Sequence, residues 1–159
     1  MKSNTYTHKT LKNQIEFYEE RAKNKYLTWC KQIIDFIESL YSNHKKVSIN
    51  DIGCNYFQLY KEIQKRNLQN RYDYFGYDID KKFIEIGLKY FPELQDKYEI
   101  ADIQDIVPRM SQISIVSAVL EHSDNPIDML DNILKSDSGC TDPCFLIKFL
   151  MCPTEATTL

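Results

Sequence analysis

The chain has 159 residues, 43% apolar and 27% charged, a composition that fits one globular domain and excludes a disordered chain. Lys and Arg number 20 against 23 Asp and Glu, a net charge of −3 that excludes a broadly basic nucleic-acid binder. No run of about 18 apolar residues is present to span a membrane, and the first residues form no apolar leader core. The expected setting is therefore the cytoplasm.

Five cysteines, at 30, 54, 140, 144 and 152, are an odd number unevenly spread, which fits reduced thiols better than a disulfide framework. Cys140 and Cys144 are close in sequence, but none of the histidines at 8, 44 and 122 has ligand spacing to them. No metal site is expected.

In chain order, Leu11, Ile15, Tyr18, Ala22, Tyr26, Trp29, Ile33, Ile37 and Leu40 write one apolar stripe at steps of three and four. The spacing predicts a long amphipathic helix, interrupted near residues 23–25. VSINDI, residues 47–52, reads as a strand entering a turn at Gly53, and Phe57, Tyr60 and Ile63 resume helical spacing. The aromatic run 72–77 predicts a second strand. Asp80 is placed to cap a helix over 81–90 that ends at Phe91-Pro92. A short third strand follows at 98–101.

Residues 113–120 are apolar almost throughout, as a strand covered on both faces requires. Asn125-Pro126, with Asp128 in the first turn, signals a helix running to about Lys135, stopped by Ser138-Gly139. A fifth strand over 145–151 completes the pattern. Strands alternating with helices predict an α/β fold with a doubly wound, mostly parallel sheet in three layers, α/β/α.

Such sheets bind ligands beyond the carboxyl ends of their strands. Each of the first four exits carries an acid: Asp51, Asp78, Asp102 and Glu121. Asp78 is placed to accept from a pair of ribose hydroxyls, and Asp102 from an exocyclic purine amine. Gly53 lets backbone approach a ligand closely.

These residues resemble the class I S-adenosylmethionine-dependent methyltransferases, whose sheet is Rossmann-like. The family's Asp-x-Gly-Cys-Gly-x-Gly motif is matched by Asp51, Gly53 and Cys54, with Asn55 and Phe57 standing where the second and third glycines belong. Asn tolerates positive φ better than other side chains do. Phe57 either sets a ring beside the ligand or turns it into the core with Tyr60 and Ile63. The run Leu120-Glu121-His122, followed by Asn125-Pro126, matches the family's segment after its fourth strand.

The resemblance covers roughly residues 47–151. It implies a cofactor site of Asp51, Gly53, Cys54, Asn55, Asp78, Ile79, Asp102, Ile103 and Val119 that holds S-adenosylmethionine and releases S-adenosylhomocysteine. It also implies His122 and Glu121 as catalytic groups, His122 as a general base or a structural residue. Residues 1–46 would be an N-terminal helical cap segment whose Tyr18 and Arg21 reach the acceptor, and residues 47–159 the S-adenosylmethionine-binding domain. The acceptor would be a small molecule methylated on O or N, with sugars and surface-polysaccharide precursors as candidates, and neither nucleic acid nor membrane as partner. The family's sheet usually has seven strands and five are read here, so the expectation is either a homodimer through the fifth-strand edge or a natural truncation of a longer enzyme. Two other classes compete. A nicotinamide-dependent oxidoreductase would need more glycines in the first turn. A catalytically degenerate binding subunit would tolerate the altered motif.

Overall fold

The computed structural model describes residues 11–24, 27–117, 119–137 and 145–149. Two helices, α1 (Leu11–Asn24) and α2 (Thr28–Leu40), precede a five-stranded sheet built from β1 (Val47–Ile52), β2 (Tyr72–Asp78), β3 (Tyr98–Ile100), β4 (Ile113–Ser117) and β5 (Phe145–Phe149). Helices α3 (Gln58–Lys65), α4 (Lys81–Tyr90) and α5 (Pro126–Asp137) lie between strands. The expected interruption of the first helical stripe is present, since α1 stops at Asn24 and α2 starts at Thr28.

Strand order is β3-β2-β1-β4-β5, and every pairing is parallel. The chain steps outward from β1 to β3, then returns to the other side of β1, so the order reverses between β1 and β4. That is the α/β sheet the sequence predicts, with its switch point at the first strand.

Strand alternation sorts the core into two halves. Val47 and Ile49 of β1 pack with Ile33, Ile34 and Ile37 of α2 and with Leu59 and Ile63 of α3. Ile52, one residue out of phase, joins Tyr77, Val116, Met129 and Ile133 beneath α5 on the opposite face. Asp80 caps α4 by accepting from the Lys82 N–H at 2.8 Å, as its position predicts.

Two features depart from the predicted alternation. The fourth strand ends at Ser117, and Leu120–His122 form a turn of 3-10 helix instead of continuing it. The β3–β4 connection contains no helix. There the Arg109 guanidinium lies 4.6 Å from the Phe75 ring centroid, donates to the Asp73 carbonyl at 2.9 Å and to Asn50 Oδ1 at 3.3 Å. Asn50, fully buried, returns a bond to the Arg109 carbonyl at 2.6 Å. A cation–π stack and a buried amide thus cover β2 where a helix would otherwise lie.

Phe57 is a third departure, and it resolves the alternative left open by the sequence. Its backbone is left-handed, φ 62° and ψ 45°, at the N-cap of α3, and its ring is fully buried. The ring occupies space that two glycines leave: a Cβ on Gly76 would meet it at 3.1 Å, and one on Gly87 at 2.5 Å. Tyr74 and Tyr98 complete the surround, with centroids 6.4 and 6.3 Å away. A left-handed non-glycine residue costs about 1–3 kcal/mol, and burying a Phe side chain returns about 1.5–3 kcal/mol, so the two roughly offset.

Gly87→Ala should therefore destabilise the protein by about 1–3 kcal/mol through overpacking. In urea denaturation the loss should shrink in a Phe57→Leu background, because the shorter side chain relieves the clash. An unchanged midpoint for Gly87→Ala would contradict this packing.

Candidate functional site

The turn after β1 is built from backbone hydrogen bonds that require no particular side chain. The Gly53 and Cys54 N–H groups both donate to the Tyr77 carbonyl, at 2.8 and 2.9 Å. Gly53, Asn55 and Phe57 all hold positive φ, at 74°, 55° and 62°. Two side-chain-bearing residues thus adopt the backbone for which glycine is the usual choice. Asn55 stabilises its own conformation, since its Oδ1 accepts from the Tyr56 N–H at 3.0 Å.

Asp78, at the exit of β2, faces this turn. Its Oδ2 accepts from the Asn55 N–H at 2.7 Å and its Oδ1 from the Asp80 N–H at 2.9 Å. Burial raises its pKa, while these backbone donors pull it back down. The result is a half-buried carboxylate held at fixed orientation with lone pairs left to accept further donors. Ile79 follows it, 69% exposed, an apolar side chain in the open at the strand exit.

At the third exit Asp102 is half-buried and accepts from the Gln104 backbone at 2.9 Å, while Ile103 is buried in the core under α5. At the fourth, Val119 comes down onto Gly53 so closely that a Cβ there would lie 2.2 Å from Val119 Cγ2. Glycine at 53 is thus required twice, by φ and by this contact. The 3-10 turn that follows carries Glu121 in its middle and His122, exposed, at its end.

The structure brings Gly53, Asn55, Asp78, Ile79, Asp102 and Val119 to the carboxyl end of the sheet, around the switch point. Three expected cofactor residues are enclosed instead, Ile103 in the core under α5 among them. Cys54 is 2% exposed and its thiol lies against Gly76. Asp51 is 3% exposed and lies on the α2–α3 face of β1, where its Oδ2 accepts from the Tyr74 hydroxyl at 2.7 Å. Burial pushes the Asp51 carboxyl up to about 7, with Asp78 adding to the rise and the Tyr74 bond opposing it.

Over the turn, α1 lays Tyr18 edge-on to Phe83, centroids 4.8 Å apart, and near Tyr56 at 6.3 Å. Arg21 stands 5.3 Å above the Phe17 ring, and its Nε is buried without a hydrogen-bond partner among the described residues. Lys61 secures this helix by donating to the Ala22 carbonyl at 2.6 Å. Sequence reasoning missed Tyr74, Val119's contact with Gly53 and the bond from the Gln104 N–H to Asp102. Among the described residues no cluster of three or more His, Cys, Asp or Glu is placed to hold a metal; Cys140, Cys144 and Cys152 lie outside those residues. No described helix is long and apolar enough to cross a membrane.

Comparison with solved structures places the architecture. The plantazolicin methyltransferase BpumL, in complex with a pentazolic desmethylPZN analog and SAH, is 19% identical over 79% of this chain, with a TM-score of 0.57. A structure from Methanococcus maripaludis assigned to the S-adenosylmethionine-dependent methyltransferases is 18% identical over 84%, at 0.61. The fold is that of the class I S-adenosylmethionine-dependent methyltransferases. The [4+2]-cyclase SpnF is also similar, 14% identical over 66%, at 0.54. This chain spans 48%, 61% and 40% of those three chains. No family model and no curated protein sequence matches it.

The buried Asp51 sets a pH dependence with a definite sign. A carboxyl raised from about 4 unfolded to about 7 folded costs stability as pH rises through that window. Asp51→Asn keeps an acceptor for Tyr74 and removes the charge, so the variant should be the more stable by about 2–4 kcal/mol at pH 8. The difference should vanish near pH 4. Urea midpoints measured at both pH values check this; a variant less stable at pH 8 would contradict it.

Proposed function

We propose that the protein is an S-adenosylmethionine-dependent methyltransferase acting on O or N of a small-molecule acceptor. The observation that carries the proposal is Asp78, fixed by two backbone donors, half-buried at the second exit and facing a turn of three positive-φ residues. A carboxylate in that state suits two adjacent ribose hydroxyls, exposed Ile79 suits one face of a base, and Asp102 suits an exocyclic amine. The residues fit the cofactor. What the cofactor supplies when bound is a methyl group already activated on a sulfonium centre.

The chain's own task is then alignment and exclusion of water, which supplies up to roughly 7–11 kcal/mol when geometry is favourable. Residues 1–46 act as the cap, residues 47–159 as the cofactor-binding domain. Tyr18 and Arg21 border the acceptor's side of the turn, where a guanidinium suits an anionic group. His122 serves as general base where the acceptor is a hydroxyl, with Glu121 beside it in the same turn. Sugars and surface-polysaccharide precursors are the acceptor classes to test first. The edge position of β5 suits pairing with a second copy of the chain, and the cytoplasm is the proposed location.

A second reading has one observation in its favour. The similar structure of a [4+2]-cyclase has this fold and another reaction, so the fold accommodates chemistry other than methyl transfer. A degenerate protein would keep the sheet and lose cofactor affinity.

Calorimetric titration with S-adenosylhomocysteine separates the two. Methyl transfer predicts micromolar binding that falls at least tenfold in Asp78→Ala. A folded wild-type protein without measurable binding would overturn the enzyme reading. His122→Ala should keep that affinity and lower turnover of a hydroxyl acceptor about 100-fold.

A further inference from the structure

Gln104 is half-buried and belongs to none of the site motifs read from the sequence, yet both ends of its side chain are engaged. Its Nε2 donates to both oxygens of Asp102, at 3.2 and 3.1 Å, and its backbone N–H donates to Asp102 Oδ1 at 2.9 Å. Its Oε1 accepts from the Asn125 N–H at 2.8 Å, immediately before α5. Only one orientation of the amide satisfies this pair, because the flipped one would set an oxygen against a carboxylate and an NH2 against an N–H. Asn132 of α5 separately holds the loop, donating to the carbonyls of Ile103 and Gln104 at 2.9 and 3.0 Å.

The consequence concerns Asp102. A carboxylate offers about four acceptor directions, and Gln104 engages both oxygens on one side. Oδ1 accepts from two donors and Oδ2 from one, so the acceptor direction left to Asp102 is on Oδ2. The same amide ties this loop to residues 120–125, which carry Glu121 and His122.

We infer that Gln104 is a positioning residue for purine recognition: it orients Asp102 to accept from an exocyclic amine and so sets a preference for a 6-amino over a 6-oxo purine. This rests on the proposed cofactor site and adds to it the residue that determines nucleobase selectivity. A 6-oxo purine presents an acceptor to the Asp102 carboxylate, which leaves two acceptors facing one another.

The test is calorimetric titration with S-adenosylhomocysteine and with its 6-oxo analogue, S-inosylhomocysteine, on wild type, Asp102→Ala, Gln104→Leu and Gln104→Glu. Wild type should favour the 6-amino ligand at least tenfold. Asp102→Ala should bring the ratio close to one. Gln104→Leu should reduce it at least fivefold, and Gln104→Glu should reduce it further, because it keeps an acceptor for Asn125 but sets a second carboxylate against Asp102. The ratio is taken within each variant, so a general loosening of the loop cancels.

A ratio that collapses in Asp102→Ala but survives in both Gln104 variants overturns the role of Gln104 alone. Equal affinities in wild type, or no binding of either ligand, overturn it together with the purine role of Asp102.

Discussion

The seat of the Phe57 ring is the constraint on which the rest of this structure depends. Gly76 in β2 and Gly87 in α4 leave the space it fills, and with its ring anchored there its backbone is held left-handed at the start of α3. The turn from Gly53 to Phe57 can then present the Asn55 N–H to Asp78 while its own N–H groups bond the Tyr77 carbonyl. The chain contains four glycines in all, and two of them border this ring, Gly76 also making room for the Cys54 thiol. Packing has taken over a task usually given to glycine's conformational freedom.

The same substitution of means appears on the other face. The β3–β4 connection lacks a helix, and side-chain polar groups hold the loop instead. Arg109 stacks on Phe75 and exchanges bonds with Asn50, while Gln104 and Asn132 stitch the third exit to α5. Each bond of this kind adds only about 1 kcal/mol net, but leaving a buried partner unpaired costs about 1–3 kcal/mol. These networks therefore fix loop positions more firmly than they raise stability, and loop position is what the strand exits need.

Much of this was legible in the sequence. Period-two and helical spacings located five strands and the helices around them, and Asp80 and Asn125-Pro126 marked helix starts because caps depend on neighbouring residues alone. The end of β4 was not legible. VSAVL stays apolar through Leu120, and apolarity does not report where ladder bonding stops. Asp51 was read as an exit group from its place in a motif, yet strand parity puts it on the face of Val47 and Ile49, buried against Tyr74. Parity was the signal available for it. Gln104 had none, because its partners Asp102 and Asn125 meet only after the sheet has formed.

If packing fixes the turn, glycine at 55 is dispensable. Titration of the Asn55→Gly variant with S-adenosylhomocysteine, beside wild type, asks this directly. Both should bind, with affinities that agree within about threefold. Binding seen in the glycine variant and absent from wild type would contradict this.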